Sequence, residues 1–344
     1  MELTLLGTAE PRGWPQPDCS CASCQRLRVA GEHRLPTAVL VDDAWSPGDP
    51  PPAGYEVRHL GGDTSALELT GPDGTRALYC RAPGRLGATV GCYDAVLLDL
   101  IDLPEQLGEL RRRGAVTEET QAVAVHADHR VSSPAELRRR LCYLGARLGS
   151  DGEVVRAGAP QAGGGFPAPY RHLVLGGSRS GKSGEAERRL AGEPAVTYVA
   201  TGGHHPDDPQ WRERVAAHRQ RRPTWWETVE TTDVAAVLRD APDGSALLVD
   251  GLGSWLVAVL DACGAWEGGA EAAVASAVDE LVASWRTTRA RVVAVSDEAG
   301  SGVVPPSASG RRFRDELGRL NQLVAAESEE VALVAAGRVL TLPG

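Results

Sequence analysis

His172-Leu173-Val174-Leu175-Gly176-Gly177-Ser178-Arg179-Ser180-Gly181-Lys182-Ser183 runs from a short apolar stretch into a glycine-rich turn, and Gly184 to Leu190 continue it with helical composition. A strand, a loop and a helix in that order around G-x-x-x-x-G-K-[ST] let backbone N–H groups and a helix N-terminus cradle phosphate oxygens. In such a loop Lys182 reaches the β- and γ-phosphates and the Ser183 hydroxyl ligates Mg²⁺. Lys182 is also the sole lysine of the chain, every other cationic side chain being an arginine apart from the histidines. Arginine replaces lysine wherever a surface charge suffices, but not where a compact ammonium must fit between two phosphate groups. A Gly/Ser-rich surface turn would look similar in isolation; the flanking strand and helix argue against it.

Downstream, apolar runs alternate with helical segments: His172–Gly176, Ala195–Ala200, Ala246–Asp250, Arg291–Ser296, Val331–Ala335 and Arg338–Leu342. This alternation predicts an α/β fold, a mostly parallel sheet with helices on both faces and the phosphate loop after its first strand. Upstream, Gly158 to Pro169 lacks periodicity and bulk and contains Gly163-Gly164-Gly165, as a linker does. The expected division is therefore residues 1–157, a linker at 158–170, and 171–344. The first part is less regular, an α+β pattern with strands at Glu2–Leu6, Thr37–Val41, Ala66–Leu69, Arg76–Tyr79, Ala95–Leu98 and Ala122–Val125. A helix is expected over Pro134–Leu144, and Asp43 to Gly54 forms a Pro-rich connection.

The 344 residues carry a net charge of −10, which argues against a general nucleic-acid binder and for a small-molecule partner. No apolar run approaches membrane-span length, and the N-terminus lacks a basic segment followed by a long apolar one. A cytoplasmic enzyme is the expectation. Three of seven cysteines are packed into Cys19-Ser20-Cys21-Ala22-Ser23-Cys24, a metal-ligand pattern rather than a disulfide framework.

Two features of the second half carry further chemistry. Ala246-Leu247-Leu248-Val249-Asp250 is an apolar strand ending in an acid, which places a carboxylate at the sheet's carboxyl edge beside bound Mg²⁺. The segment Trp211 to Arg222 is an amphipathic helix that sets His218 among Arg214, Arg219, Arg221 and Arg222. Neighbouring cations disfavour the imidazolium, so His218 stays neutral and nucleophilic while the arginines hold phosphate oxygens. A solvated histidine on a basic helix would have the same spacing.

Taken in order, Gly176 to Ser183, Tyr198-Val199-Ala200-Thr201-Gly202, Arg214 to Pro223, Trp226 to Glu230, Leu248-Val249-Asp250, Ser296 to Pro305 and Phe313 to Asn321 resemble the bifunctional adenosylcobinamide kinase/adenosylcobinamide-phosphate guanylyltransferases of cobalamin assembly. The resemblance covers about Arg171 to the C-terminus. It implies a P-loop NTPase-like fold and two reactions. GTP or ATP first phosphorylates the aminopropanol hydroxyl of adenosylcobinamide. His218 then attacks the α-phosphate of GTP, and the GMP-histidine passes GMP to adenosylcobinamide phosphate. Residue by residue, the family's nucleotide contacts carry over to Gly176, Gly177, Ser178, Arg179, Ser180, Gly181, Lys182 and Ser183, to Ala200, Thr201 and Gly202, to Arg219, Gln220, Arg221 and Arg222, and to Glu230 and Asp250. Either of the last two would meet the guanine N–H donors or the metal. The family often has Asn where Asp297 stands, and Gly251 and Gly253 thin out a bulkier run. Assembly into a small ring such as a trimer is also implied.

The first half resembles a shortened metallo-β-lactamase-like domain of the phosphodiesterase type found in phosphonate degradation. Thr4-Leu5-Leu6-Gly7-Thr8, Gly13-Trp14-Pro15 and Cys19-x-Cys21-x-x-Cys24 match its start, and His126-x-x-His129 its late H-x-x-H. The resemblance implies a structural Zn²⁺ on Cys19, Cys21, Cys24 and His129, with His126 left over from a catalytic metal site. The other ligands of that site are missing: no H-x-H-x-D-H follows the third strand, and Tyr79-Cys80-Arg81 stands where an aspartate is expected. One ligand does not make a hydrolytic two-metal centre. Two rival functions remain: a GTP-binding regulatory module, and a phosphodiesterase acting through the first domain.

Overall fold

The computed structural model describes residues 1–60, 66–82, 84–89, 91–159, 170–202, 213, 216 and 219–343. The chain divides into two compact units, Met1–Phe166 with Ala191–Pro194, and Pro167–Leu190 with Ala195–Gly344.

The first unit contains β1 (Glu2–Gly7), α1 (Ala22–Ala30), β2 (Ala38–Val41), β3 (Glu56–Leu60), β4 (Ala66–Thr70), β5 (Arg76–Cys80), β6 (Ala95–Leu98), α2 (Glu105–Arg112), β7 (Gln121–Ala124), α3 (Pro134–Tyr143), β8 (Arg147–Leu148) and β9 (Val154–Arg156). Among the described residues β2-β1-β9 form an antiparallel sheet, and β3 to β8 lie in sequence order in a second sheet whose β5, β6, β7 and β8 are parallel. Successive strand side chains point to opposite faces, so β6 serves two cores at once. Ala95 and Leu97 face Leu3, Leu5, Val39 and Val41 of the small sheet. Val96 and Leu98 cluster with Leu107, Leu110, Leu137 and Leu141 of α2 and α3. Each fully buried Leu or Val contributes about 1.5–3 kcal/mol, enough in sum to hold sheet, sheet and helix layers together. The short β3, β8 and β9 and the helices α1 and α2 are not expected from pattern alone, being brief or rich in polar residues.

The second unit contains β10 (Tyr170–Gly176), α4 (Lys182–Leu190), β11 (Thr197–Ala200), β12 (Glu227–Glu230), α5 (Val234–Asp240), β13 (Ala246–Asp250), α6 (Leu252–Ala262), α7 (Glu271–Thr287), β14 (Arg291–Asp297), α8 (Ala308–Ala326), β15 (Glu330–Ala335) and β16 (Arg338–Leu342). Its strand order is β12-β11-β13-β14-β10-β15-β16. The mixed α/β architecture is as expected, with Leu173, Leu247 and Val292 packing under α5 to α8 on one face and Val174, Leu248 and Val293 against α4 on the other. One strand departs from the parallel pattern. β16 returns antiparallel to β15, because Ala336 and Gly337 both adopt positive φ, 49° and 73°, the geometry of a two-residue hairpin turn. The helix expected over Trp211–Arg222 falls largely outside the described residues, among which 213, 216 and 219–221 are helical. Among the described residues no helix is long and apolar enough to cross a membrane.

Candidate active site

Parallel pairing brings the carboxyl ends of β12, β11, β13, β14 and β10 to one edge. Ala200 is in register with Glu230 on one side and with Asp250 on the other, and Gly176 with Asp297. The crevice outside the strand ends is where an open α/β sheet binds its ligands.

The loop after β10 requires its glycines. A Cβ on Gly176 would run into Ser180 Oγ and stand 2.6 Å from the Val334 carbonyl oxygen. Arg179 and Gly181 sit at φ of 57° and 99°, in the left-handed region. Ser180 N–H donates to the Gly177 carbonyl at 3.2 Å, and Gly337 N–H to the Ser180 carbonyl at 2.9 Å. Gly177, Ser178, Arg179 and Gly181 are exposed, Ser180 is buried, and Lys182 and Ser183 are half-buried at the start of α4. The Lys182 ammonium donates to the Gly177 carbonyl at 3.2 Å and forms an ion pair with Asp297 Oδ1 at 2.8 Å. Asp297 is absent from the residue set expected from sequence. Its signal was an apolar run closing on an acid, the same signal that Asp250 carries, but only the strand order makes it the neighbour of the loop.

Asp250 is engaged elsewhere: the Tyr198 hydroxyl donates to its carboxylate. Burial, followed by the charge of Asp250, pushes the Tyr198 phenol far above its ordinary range. The Arg222 guanidinium lies over the Tyr198 ring, 3.5 Å from its centroid, and Nη1 is 3.4 Å from Thr228 Oγ1. Thr201 is fully buried and its hydroxyl donates to the Gly251 carbonyl at 2.6 Å, with the Asp250 carbonyl 3.1 Å away. It thereby ties the turn after β11 to the turn after β13, while Gly202 beside it is exposed. Arg221 donates two bonds to Glu187 of α4 at 3.0 and 3.2 Å, and the exposed Arg219 approaches Glu230 at 3.5 Å. Gln220 faces solvent. His218, the expected nucleophile, lies outside the described residues.

In the first unit the donor atoms of Cys19, Cys21, Cys24 and His129 lie within 4.8 Å of one another. His129 Nδ1 stands 3.0, 3.6 and 3.7 Å from the three sulfurs in that order. A tetrahedral zinc with Zn–S bonds of about 2.3 Å sets its donors about 3.6 Å apart, so three thiolates and one imidazole fit that ion. Cys21 also caps α1, its sulfur accepting the Cys24 N–H at 3.4 Å. This bond lowers the Cys21 thiol below the ordinary thiol range, while burial raises Cys24.

At the carboxyl edge of β5, β6 and β7 stands a different group. His126 is buried, at φ 59°, with Nε2 2.8 Å from the Cys80 carbonyl oxygen, and burial disfavours its charged form. The Arg130 guanidinium pairs with Asp128 and Asp102 and lies 4.0 Å from Asp99, which burial pushes up to about 6. A guanidinium thus supplies positive charge among three carboxylates.

Residues 172–342 match the family described as cobinamide kinase / cobinamide phosphate guanyltransferase. The chain is 42% identical over 180 residues to the bifunctional adenosylcobalamin biosynthesis protein CobP of Pseudomonas aeruginosa, a match spanning 51% of this chain and 98% of that protein. Against CobU of Salmonella typhimurium it is 36% identical over 175 residues, and against CobU of Escherichia coli 36% over 174. Both of those matches span 48% of this chain and 95% of the relative. Agreement of this extent, over nearly the whole length of each relative, places the chain in the cobinamide kinase / cobinamide phosphate guanyltransferase family through its second half.

Proposed function

We propose that the chain catalyses both reactions of its family. GTP or ATP phosphorylates the aminopropanol hydroxyl of adenosylcobinamide, and GTP then supplies GMP to the product, giving adenosylcobinamide-GDP. The observation that supports this is a glycine-rich strand–loop–helix, with Lys182 at the end of its loop, on the sheet edge of the family-matched half. In the first step the substrate hydroxyl oxygen bonds to the γ-phosphorus, the bond from that phosphorus to the β–γ bridging oxygen breaks, the nucleoside diphosphate leaves, and the hydroxyl proton passes to solvent. Lys182 and the loop amides stabilise the charge that spreads over the transferred group. Mg²⁺ bound with the nucleotide would neutralise phosphate charge, and Ser183 with a strand-end carboxylate would hold it.

In the second step a ring nitrogen of His218 bonds to the α-phosphorus and pyrophosphate leaves. A phosphate oxygen of the second substrate then displaces the imidazole and takes GMP. Two easier displacements replace one difficult transfer. Arg219, Arg221 and Arg222 exchange Glu230, Glu187 and Thr228 for phosphate oxygens, with Gln220 beside them. Ala200 and Gly202 line the nucleotide, with the buried Thr201 between them holding the turn, and Glu230 or Asp250 receives the guanine N–H donors or the metal. We assign the chain to the cytoplasm, where nucleoside triphosphates are held, and its assembly to a small ring such as a trimer.

For the first unit we assign a structural zinc on Cys19, Cys21, Cys24 and His129, within a shortened metallo-β-lactamase-like domain that has lost its hydrolytic centre. The Arg130 guanidinium among carboxylates and the contact of His126 with a backbone carbonyl support that loss.

Incubation with α-labelled GTP tests the transferase. An acid-labile, base-stable label on the protein, absent from His218→Ala, is expected. GTP binding without covalent label would sink the proposal in favour of a regulatory module, and phosphodiester turnover by the first unit would restore the hydrolase.

A further inference from the structure

Lys182 cannot serve a nucleotide while it is held by Asp297. The ammonium is mostly enclosed, 14% exposed, whereas Asp297 is 47% exposed at the strand end beside the loop. When a triphosphate enters, Lys182 turns from a carboxylate to phosphate oxygens, and Asp297 is left facing several negative charges at close range. That repulsion is relieved if a divalent cation stands between them. Asp250 is less suited to the task. Neighbouring strands lie about 4.8 Å apart, and β13 is one strand further from the loop than β14, with the Asp250 carboxylate already bonded to Tyr198.

We propose that Asp297 is the residue that makes nucleotide binding depend on a divalent cation. Without the cation it retains Lys182 and repels the triphosphate. With it, the carboxylate faces the metal and Lys182 is released to the phosphates. Asp297 is thus a positioning residue acting through Lys182 and Mg²⁺. The inference rests on the loop being a nucleotide site, and its test needs no turnover.

The test is the dissociation constant of a β,γ-imido analogue of GTP, measured for the full chain in magnesium-containing and magnesium-free buffer. Wild type is expected to bind at least about tenfold more tightly with magnesium, the order of magnitude for a half-screened carboxylate against phosphate. In Asp297→Asn the magnesium-free affinity should rise until the ratio falls below about threefold. Asp297→Glu, which keeps the charge, should keep the preference. An unchanged ratio in Asp297→Asn, loss of binding in both buffers, or collapse of the ratio only in Asp250→Asn would each overturn the proposal. If wild type binds the analogue in neither buffer, the nucleotide-site assignment itself falls and takes this inference with it.

Discussion

Single residues decide the electrostatics of both units. Lys182, at the end of the glycine-rich loop, pairs with Asp297, which a neighbouring strand end brings beside it. In the first unit Asp99 is one of the residues whose ionisation bears on stability. Burial favours its neutral form and pushes it up to about 6, with Arg130 opposing. The folded chain therefore retains a proton between about pH 4 and 6 that the unfolded chain has released. Stability from this group is greatest below the unfolded value and falls as pH rises through that window. Asp99→Asn should remove about 2 kcal/mol of this pH dependence, read as the difference between variant and wild type in urea unfolding of the first unit at pH 4.5 and pH 7. Parallel pH slopes in the two proteins would contradict the assignment.

At the scale of elements, the β10–loop–α4 unit combines a strand that must be buried with a turn that must be open. Gly176 and Gly177 are adjacent but not equivalent. A Cβ at Gly176 meets Ser180 and the Val334 backbone, whereas one at Gly177 meets nothing within 4 Å. Gly176→Ala should cost about 1–3 kcal/mol through overpacking and lower the melting temperature of the second unit, while Gly177→Ala leaves that temperature unchanged. Equal shifts for the two variants would show that the close approach at Gly176 is not real. The strands and helix here were legible in sequence because apolar alternation and the glycine spacing are local properties. The antiparallel return of β16 was not, since two positive φ values at Ala336 and Gly337 reverse a chain whose apolar pattern would suit either direction. Likewise β12 reads Glu227-Thr228-Val229-Glu230, too polar to announce a strand, and forms by pairing with β11 at the edge of the sheet.

The whole molecule consists of two units with separate cores, and the relatives at 36–42% identity match the second half alone. Two unfolding transitions are expected in calorimetry. Removing zinc with a chelator, or one ligand through Cys19→Ser, should strongly lower the first unit's transition, because metal binding is a large fraction of the about 5–15 kcal/mol that stabilises a domain. The second unit's transition should stay in place. A zinc content below about one ion per chain in the untreated protein, or a joint shift of both transitions, would refute this. By itself the sequence determined what short-range chemistry controls: the glycine-rich loop, the buried strands, and the three-cysteine run. Only the tertiary structure decided which distant groups meet. It placed Arg130 among Asp99, Asp102 and Asp128, tied Asp250 to Tyr198, and put Asp297 rather than Asp250 beside Lys182, whereas the meeting of His129 with the three sulfurs was already expected from the resemblance. The physical reason is strand order, which depends on how complete apolar faces pack and leaves no mark at the strand ends whose charges it brings together.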